Sequence, residues 1–386
     1  MNEVTVADVV RRYTPAFREA RGGWLPASVE RVLRDIGRCR TAELGGHLHV
    51  CRSCGSEVPL YNSCRNRHCP QCQSRARHQW LEARMDDLLP VPYFHWAFTV
   101  PAELRPLFRA DPRALYNLLF RASWDSLREI AADPKRLGAQ PGALAVLHTW
   151  NQRLLLHPHI HLVVPGGGLD EKGTWVPAKP GFMLHVGVVA RKFAGRFLAL
   201  LDRAVRRHEV RLPTDMEQCP SLYLTTRESL RSKRWKVYAK PPFGGPEHVL
   251  RYLARYTHRV AIGNSRMVAL NNDHVTFRYK DRSADSAWKT STIPAVEFLR
   301  RFTLHVLPPG FVRIRYFGFL AHRNRREAIA KCREQLGARE VETAAEKVES
   351  EKEPVGPRCP VCEATDLVPI RGLPREIPSQ PRAPPS

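Results

Sequence analysis

Two histidines one residue apart, His159 and His161, lie inside the run Leu154-Leu155-Leu156-His157-Pro158-His159-Ile160-His161-Leu162-Val163-Val164. On a β-strand every second side chain points to the same face. The two imidazoles would therefore project together and could grip a metal ion without any loop rearrangement. His157 and His148 add imidazoles nearby, and Asn151 and Gln152 precede the run. Gln152 stands seven residues before His159, a separation that a β-hairpin folds back, so its amide oxygen is the expected third ligand. Two imidazoles and an amide oxygen leave positions open for substrate and suit Mg²⁺ or Mn²⁺. Zinc would be expected to take a third histidine or a carboxylate instead. Taken alone, the pattern equally describes two core histidines.

A second chemical element is Val249-Leu250-Arg251-Tyr252-Leu253-Ala254-Arg255-Tyr256-Thr257-His258-Arg259. Tyr252 and Tyr256 are four apart, one turn apart on one face of a helix. Val249, Leu250, Leu253 and Ala254 make an apolar arc, and Arg251, Arg255 and Arg259 lie to its other side. The tyrosines fall on the border, where a hydroxyl is held rigidly while facing an anionic ligand. Border tyrosines also simply pack their rings and wet their tips. With a metal on His159 and His161 to polarise a phosphate and nearby arginines to assist, a tyrosine hydroxyl becomes a usable nucleophile toward a phosphodiester.

The cysteines form a third group. Cys51-x2-Cys54 is followed after fourteen residues by Cys69-x2-Cys72. Two such knuckles predict one tetrahedral structural zinc site, each turn offering two thiolates. Cys39, His47, Cys64 and His68 share the stretch, and the eight groups together could serve two ions. Arg65 and Arg67, with Arg75, Arg77 and His78, surround the cluster and make it a candidate DNA reader. Cys359-Pro360-Val361-Cys362, far downstream, receives no role, because a lone pair cannot close a four-ligand site.

The elements that must position these groups follow from local patterning. Apolar residues at 29, 32, 33 and 36 predict a helix near the start. Helices are also expected over Gln79–Leu89, Asp111–Ala132, Lys192–Arg207 and Pro246–Arg259. Expected strands are Phe94–Val100, Ala143–Trp150, Leu154–Val164, Leu222–Thr226 and Lys233–Tyr238, with Arg266–Leu270 and His274–Tyr279 as a hairpin around Asn271-Asn272-Asp273. Six glutamates between Glu340 and Glu353 and a Pro-rich end predict a solvated or disordered tail. The fold class is therefore α+β in three consecutive parts: a helical and cysteine-rich domain over 1–90, a sheet-and-helix domain over 91–335, and a tail over 336–386.

Charge narrows the partner. The 386 residues carry 61 Lys+Arg against 38 Asp+Glu, a formal net charge of +23. So large an excess favours nucleic acid ahead of an anionic membrane. No apolar run of 18 residues appears, and the first twelve residues lack the order of a secretory signal. We expect a cytoplasmic protein, whose ten cysteines then mean metal sooner than disulfides.

In combination the motifs resemble one family. They are Cys51-x2-Cys54, Tyr61-Asn62-Ser63-Cys64-Arg65-Asn66-Arg67-His68-Cys69-Pro70-Gln71-Cys72-Gln73, His148-Thr149-Trp150-x-Gln152, His157-Pro158-His159-Ile160-His161, Gly166-Gly167-Gly168 and Tyr252-Leu253-Ala254-Arg255-Tyr256-Thr257-His258-Arg259. They resemble the transposases of rolling-circle bacterial insertion sequences, the insertion-sequence-ninety-one family, related to ISCR elements and more distantly to Helitrons. The resemblance spans roughly residues 10–330. It implies an N-terminal zinc-binding domain and an HUH nuclease domain with a central antiparallel sheet flanked by helices. It also implies metal-dependent cleavage and joining of single-stranded DNA at element ends and target, through His159, His161, Tyr252 and Tyr256. Some relatives carry one tyrosine; both are present here. It leaves the third ligand open, and Gln152 is read from spacing alone.

Three other functions compete. A plasmid or phage replication initiator shares the chemistry but does not account for the cysteine domain. A zinc-dependent DNA-binding regulator without catalysis leaves the histidine strand and tyrosine pair unused. A metal-dependent small-molecule hydrolase would need further acidic or histidine ligands and fits the arginine content poorly.

Overall fold

The computed structural model describes residues 4–72, 80–81, 84–181, 183–240, 261–281, 287–321, 323, 325–337 and 357–376. The chain packs as two compact units, Met1–Arg77 with His258–Val306 and Ala344–Ser386, and His78–Thr257 with Leu307–Thr343. The sequence reading divides the chain instead into three consecutive parts. Two segments from later in the chain find their apolar partners in the first unit.

The first unit opens with the helix Val6–Glu19, started by a capping box in which Thr5 and Asp8 satisfy each other's backbone N–H groups. The next helix, Ala27–Arg38, buries Val29, Val32, Leu33 and Ile36, the stripe predicted from spacing. The helix Ala295–Thr303 packs on Val6–Glu19 and buries Phe298, Leu299 and Phe302. Beside it stand three antiparallel strands, β9 (Met267–Asn271), β10 (His274–Asp281) and β11 (Ala287–Pro294). Asn272 and Asp273 both take positive φ (45° and 59°) between β9 and β10. That is the type I′ geometry that matches strand twist and favours these residues. Tyr13 donates to the Asp273 carboxylate at 2.8 Å, pinning the hairpin to the first helix. A separate three-stranded sheet has β1 (Gly46–Cys51) in its centre, β2 (Glu57–Tyr61) on one side and β13 (Leu367–Leu373) on the other. The disordered tail expected over 336–386 is thus corrected for residues 357–376, which hold a turn and a paired strand.

The second unit centres on a five-stranded antiparallel sheet. Its strands are β3 (Tyr93–Thr99), β4 (Ala143–Trp150), β5 (Leu156–Pro165), β8 (Lys236–Lys240) and β12 (Ile314–Phe317), in the order β12-β4-β5-β3-β8. The short strands β6 (Gly167–Leu169) and β7 (Trp175–Pro177) pair with each other, directly after the glycine-rich end of β5.

One face of the sheet carries Trp96, Phe98, Leu147 and Ile160, all buried. The helices Pro112–Ala131 and Val186–Arg206 belong to that side; Phe193 meets Phe98 edge-on at 5.1 Å between ring centroids. The other face is covered at one end by an apolar cluster in which Tyr93, Leu144 and Val163 meet Leu89, Leu320, Ile329 and Cys332. Toward its far end the same face turns polar.

One element differs in type from expectation. Residues Leu222–Thr226, expected as a short strand, lie inside the helix Pro220–Ser232. Pro220 occupies the first helical turn, where its missing N–H costs nothing, and the Tyr223 hydroxyl donates to Asp202 at 2.9 Å. Tertiary contact overrides a weak local preference here. The expected helix Pro246–Arg259 lies outside the described residues, as do Gln79, Glu82 and Ala83 of the expected helix Gln79–Leu89.

Candidate functional site

The hairpin joining β4 to β5 builds the site. Asn151 starts the turn: its side-chain oxygen accepts from the N–H groups of Arg153 and Leu155, both at 2.9 Å. Its own N–H reaches the Leu155 carbonyl at 3.1 Å. Leu154 closes the turn with φ +63° while fully buried, a conformation that costs a non-glycine residue about 1–2 kcal/mol. Packing of its side chain holds it there. The register that results places His148 directly opposite His159, and Val146 opposite His161. Between His148 and Trp150 the register slips, so that β5 spends one residue more than β4. His157 and Pro158 lie in this bulge, which tolerates a proline lacking a ladder N–H.

Strand alternation and cross-strand register thus put His148, His159 and His161 on one face. Their ligating nitrogens all lie within 4.8 Å of one another. His148 is buried, while His159 and His161 are half-exposed. Two of the rings are already oriented. The Nδ1 of His159 lies 2.7 Å from the His157 carbonyl, to which it must donate as N–H. The Nδ1 of His161 lies 2.7 Å from Nε2 of His95, on β3. Burial first, with Lys240 alongside, pushes His95 down to about 4, so it is neutral near pH 7 and can accept. When each Nδ1 donates, Nε2 of His159 and of His161 carries the lone pair needed for a metal. The donor set fits a divalent ion.

The ladder brings a third imidazole, His148, beside His159 and His161; the spacing points to Gln152. Gln152 falls in the turn between the strands, half-exposed, where strand register does not govern it. His148 is placed by the ladder itself. A third imidazole in place of an amide oxygen moves the preference away from Mg²⁺ and toward ions that accept nitrogen readily, such as Zn²⁺. His157 supports the site through its backbone carbonyl.

The face continues onto the edge strand β8. Ala97 is opposite both His161 and Tyr238, so Tyr238 lies in the same row as the metal-facing imidazole. Lys236 and Lys240 share that face, opposite Thr99 and His95. Tyr238 is 58% exposed. Trp235 is buried and donates its indole N–H to the Leu230 carbonyl. Trp150 stacks on His148 at 4.8 Å between ring centroids. Tyr252, Tyr256, Arg255 and Arg259 lie outside the described residues.

The cysteines group differently from their order in the sequence. Cys39, Cys64, Cys69 and Cys72 form one cluster, and Cys51, Cys54, Cys359 and Cys362 form another. Spacing identified the Cys-x2-Cys knuckles but joined the wrong pair, because the chain folds Cys51–Cys54 away from Cys69–Cys72. In the first cluster the sulfurs of Cys39 and Cys64 lie 3.5 and 3.6 Å from that of Cys72. A zinc ion with bonds of about 2.3 Å has tetrahedral sulfur–sulfur edges of about 3.8 Å, whereas a disulfide would be about 2.05 Å. The donors gathered around Cys72 from Cys39, Cys64 and Cys69 push its thiol far down, while Cys64 and Cys69 are pushed up by the same crowding. Four thiols so close resist joint ionisation without a cation.

His47 and His68 join neither cluster. His68 is buried, with its Nδ1 and backbone N–H both on the Asn66 side-chain oxygen, and Asn66 in turn donates to Asp35 at 2.8 Å. His47 is exposed on β1. Arg65 is exposed, with φ +53°, and Arg67 is half-buried, its pKa lowered by that burial and by Arg31.

Known proteins resemble this chain over most of its length. Residues 9–100 match a family described as "Transposase zinc-binding domain", and residues 142–328 match one described as "Putative transposase". "Putative transposase y4qJ" of Sinorhizobium fredii (strain NBRC 101917 / NGR234) is 49% identical over 335 residues, 86% of this chain and 84% of that protein. The chain belongs to this transposase family. The transposase for insertion sequence element IS801 of Pseudomonas savastanoi pv. phaseolicola is 31% identical over 319 residues, 82% of this chain and 75% of that protein. A solved structure, a metal-bound conjugative relaxase TrwC in complex with oriT DNA, covers 58% of this chain and 94% of its own. Its identity is 12% and its TM-score 0.23, an overlap too slight to argue from. The transposase family assignment accounts for the zinc-binding domain and the basic charge. Among the described residues no helix is long and apolar enough to cross a membrane.

Four residues of these clusters escaped the sequence reading. His148 was noted but not placed in the ligand set, although its distance from Asn151 mirrors the run beyond the turn. Cys359 and Cys362 repeat the Cys-x2-Cys spacing and went unused. His95 carries no local signal; only the register of β3 against β5 brings it to His161.

Proposed function

We propose that this transposase cleaves and rejoins single-stranded DNA at the ends of an insertion sequence, through 5′-phosphotyrosine intermediates, and moves the element by a rolling-circle mechanism. The observation that carries this reading is the convergence of His148, His159 and His161 on the open end of one sheet face, with two of the rings oriented through Nδ1. A divalent ion held by these three imidazoles would polarise the non-bridging oxygens of a phosphodiester.

The chain's own groups do the remaining work. The ladder of β4, β5 and β3 fixes the imidazoles without loop ordering, so little reorganisation accompanies substrate binding. Lys236 and Lys240 on the same face supply positive charge for the approaching backbone, and exposed Tyr238 offers a ring for base stacking. Tyr252 or Tyr256 attacks the phosphorus through its hydroxyl oxygen. The bond from phosphorus to the 3′-oxygen breaks as the tyrosine–phosphorus bond forms. The tyrosine loses its proton, and the leaving oxygen gains one to become a free 3′-hydroxyl. Attack of a 3′-hydroxyl on the phosphotyrosine reverses the exchange and rejoins DNA. Two tyrosines allow a second strand to be cut while the first stays attached.

The test is incubation with end-labelled single-stranded DNA carrying an element end, in the presence of Mg²⁺, Mn²⁺ or Zn²⁺. The expected product is a protein–DNA adduct that survives denaturant and is absent from the Tyr252→Phe, Tyr256→Phe double variant. Equal behaviour of the two proteins would overturn the reading in favour of a DNA-binding regulator without catalysis.

A further inference from the structure

Cys359 and Cys362 lie outside both matched segments, 9–100 and 142–328. We propose that they complete a second structural zinc site with Cys51 and Cys54, and that this site makes residues 357–376 a working part of the N-terminal cysteine-rich module. Four features carry the proposal.

The sulfurs converge. Cys51 and Cys362 are 3.5 Å apart, Cys54 and Cys359 3.6 Å, and all four sulfurs lie within 4.8 Å of one another. These distances suit the edges of a zinc–thiolate tetrahedron and exclude two disulfides.

The two turns are built alike. Gly55 N–H donates to the Cys51 carbonyl at 2.8 Å, and Glu363 N–H donates to the Cys359 carbonyl at 2.9 Å. Cys51 N–H reaches the Ser56 carbonyl at 2.9 Å, and Cys359 N–H reaches that of Ala364 at 2.8 Å. Gly55 and Glu363 both take positive φ, +73° and +60°. A glutamate held in this region, in a turn that repeats the geometry of the glycine-containing knuckle, indicates a turn shaped by its ligand role rather than by residue preference.

The backbone is committed to the arrangement. β13 pairs antiparallel with β1 from Gly46 opposite Leu373 to Cys51 opposite Leu367. Arg52 N–H donates to the Asp366 carbonyl at 3.0 Å. Gly45, at φ +62°, lies so close to β13 that a Cβ there would meet the Leu373 carbonyl oxygen at 2.8 Å.

Apolar burial is too small to hold this segment alone. Among the described residues, Cys51, Val58 and Cys359 are the buried members of the cluster beneath it, with Leu60, Ala364 and Leu367 packed at its edge. β13 is otherwise mostly exposed. A module this thin is held by metal, as in small zinc-dependent folds generally. Four thiolates in tetrahedral array select zinc.

The full-length zinc-loaded protein tests the proposal through mass-mapped alkylation with N-ethylmaleimide. Cys54, Cys362 and Cys219 are all exposed, but Cys219 belongs to neither cluster, so it serves as an internal reactive control. The expected result is rapid labelling of Cys219 with Cys54 and Cys362 protected until a chelator is added, after which both label together. In parallel, the Cys359→Ser, Cys362→Ser double variant should lose one zinc per chain and expose Cys54 to labelling, while Cys39, Cys64, Cys69 and Cys72 stay protected. Labelling of Cys362 at the rate of Cys219 in zinc-replete wild type overturns the proposal, and so does a variant that keeps the full zinc content. The wild-type labelling decides the matter even if the variant fails to fold.

Discussion

His95 Nε2 sits 2.7 Å from His161 Nδ1, across the β3–β5 ladder, and the two rings stack with centroids 4.9 Å apart. With His95 kept neutral by burial, its Nε2 can accept the His161 Nδ1–H, the tautomer that turns the Nε2 lone pair of His161 to the metal site. Removing such a partner typically costs 10–100-fold in metal affinity. His95→Ala should therefore weaken Mn²⁺ binding by about that factor, read by electron paramagnetic resonance titration. His95→Gln, whose amide oxygen can still accept, should recover part of the loss. Identical dissociation constants for wild type and His95→Ala would mean that the contact is only packing.

The choice between His148 and Gln152 is open to a direct comparison. His148→Ala removes an imidazole that the ladder holds opposite His159, and should abolish both tight metal binding and DNA adduct formation. Gln152→Ala, in the turn, should leave both within about threefold of wild type, a change of roughly 0.6 kcal/mol, in the range of ordinary surface substitutions. The three-imidazole set further predicts that Mn²⁺ or Zn²⁺ binds more tightly than Mg²⁺. Calorimetric titration of both variants with the three ions checks each point, and a Gln152→Ala loss equal to that of His148→Ala would reverse the assignment.

What could be read from the sequence, and what could not, divides along one physical line. Strand alternation placed His159 and His161 on one face, and the 3.6-residue period placed Val29, Val32, Leu33 and Ile36 in a core, because both patterns depend only on neighbours along the chain. The third imidazole depends on hairpin register, which Asn151 and the αL conformation of Leu154 set and which residue spacing does not reveal. The cysteine pairing depends on still more distant topology: Cys51 and Cys362 are 311 residues apart in sequence. A knuckle is legible as two ligands, while its partner is decided by sheet order. Residues 357–376 read as tail because their ordering comes from β1 and the cysteines rather than from apolar content of their own.

Asn151 offers a way to test the register itself. Its side chain accepts from two backbone N–H groups at 2.9 Å, and these bonds fix the turn that aligns His148 with His159. Asn151→Ala should cost about 1–3 kcal/mol of stability, a fall in Tm of roughly 2–4 °C for each kcal/mol in a unit of this size. Adduct formation should fall by far more than stability does, since a slipped hairpin separates the imidazoles. Thermal unfolding measured beside adduct yield separates the effects. Loss of stability with full adduct yield would show that the turn does not govern the site.

The edge strand β8 makes the last prediction, because its residues act on DNA rather than on the metal. Tyr238 is exposed in the row of His161, and Lys236 and Lys240 flank it on the same face. Stacking of one base on an aromatic ring contributes about 1–3 kcal/mol and tolerates any sequence. Tyr238→Ala should weaken single-stranded DNA binding by that amount for all sequences, while Tyr238→Phe should bind like wild type, since the ring and not the hydroxyl does the stacking. Each lysine that neutralises a phosphate adds about 0.7 to the steepness with which affinity falls against salt on single strands. Lys236→Ala, Lys240→Ala together should therefore flatten that slope by about 1.4. Fluorescence anisotropy with a labelled oligonucleotide over a salt series measures both quantities. If Tyr238→Ala binds as wild type does and the lysine pair leaves the slope unchanged, the strand enters the site over another edge, and the histidine face meets DNA without help from β8.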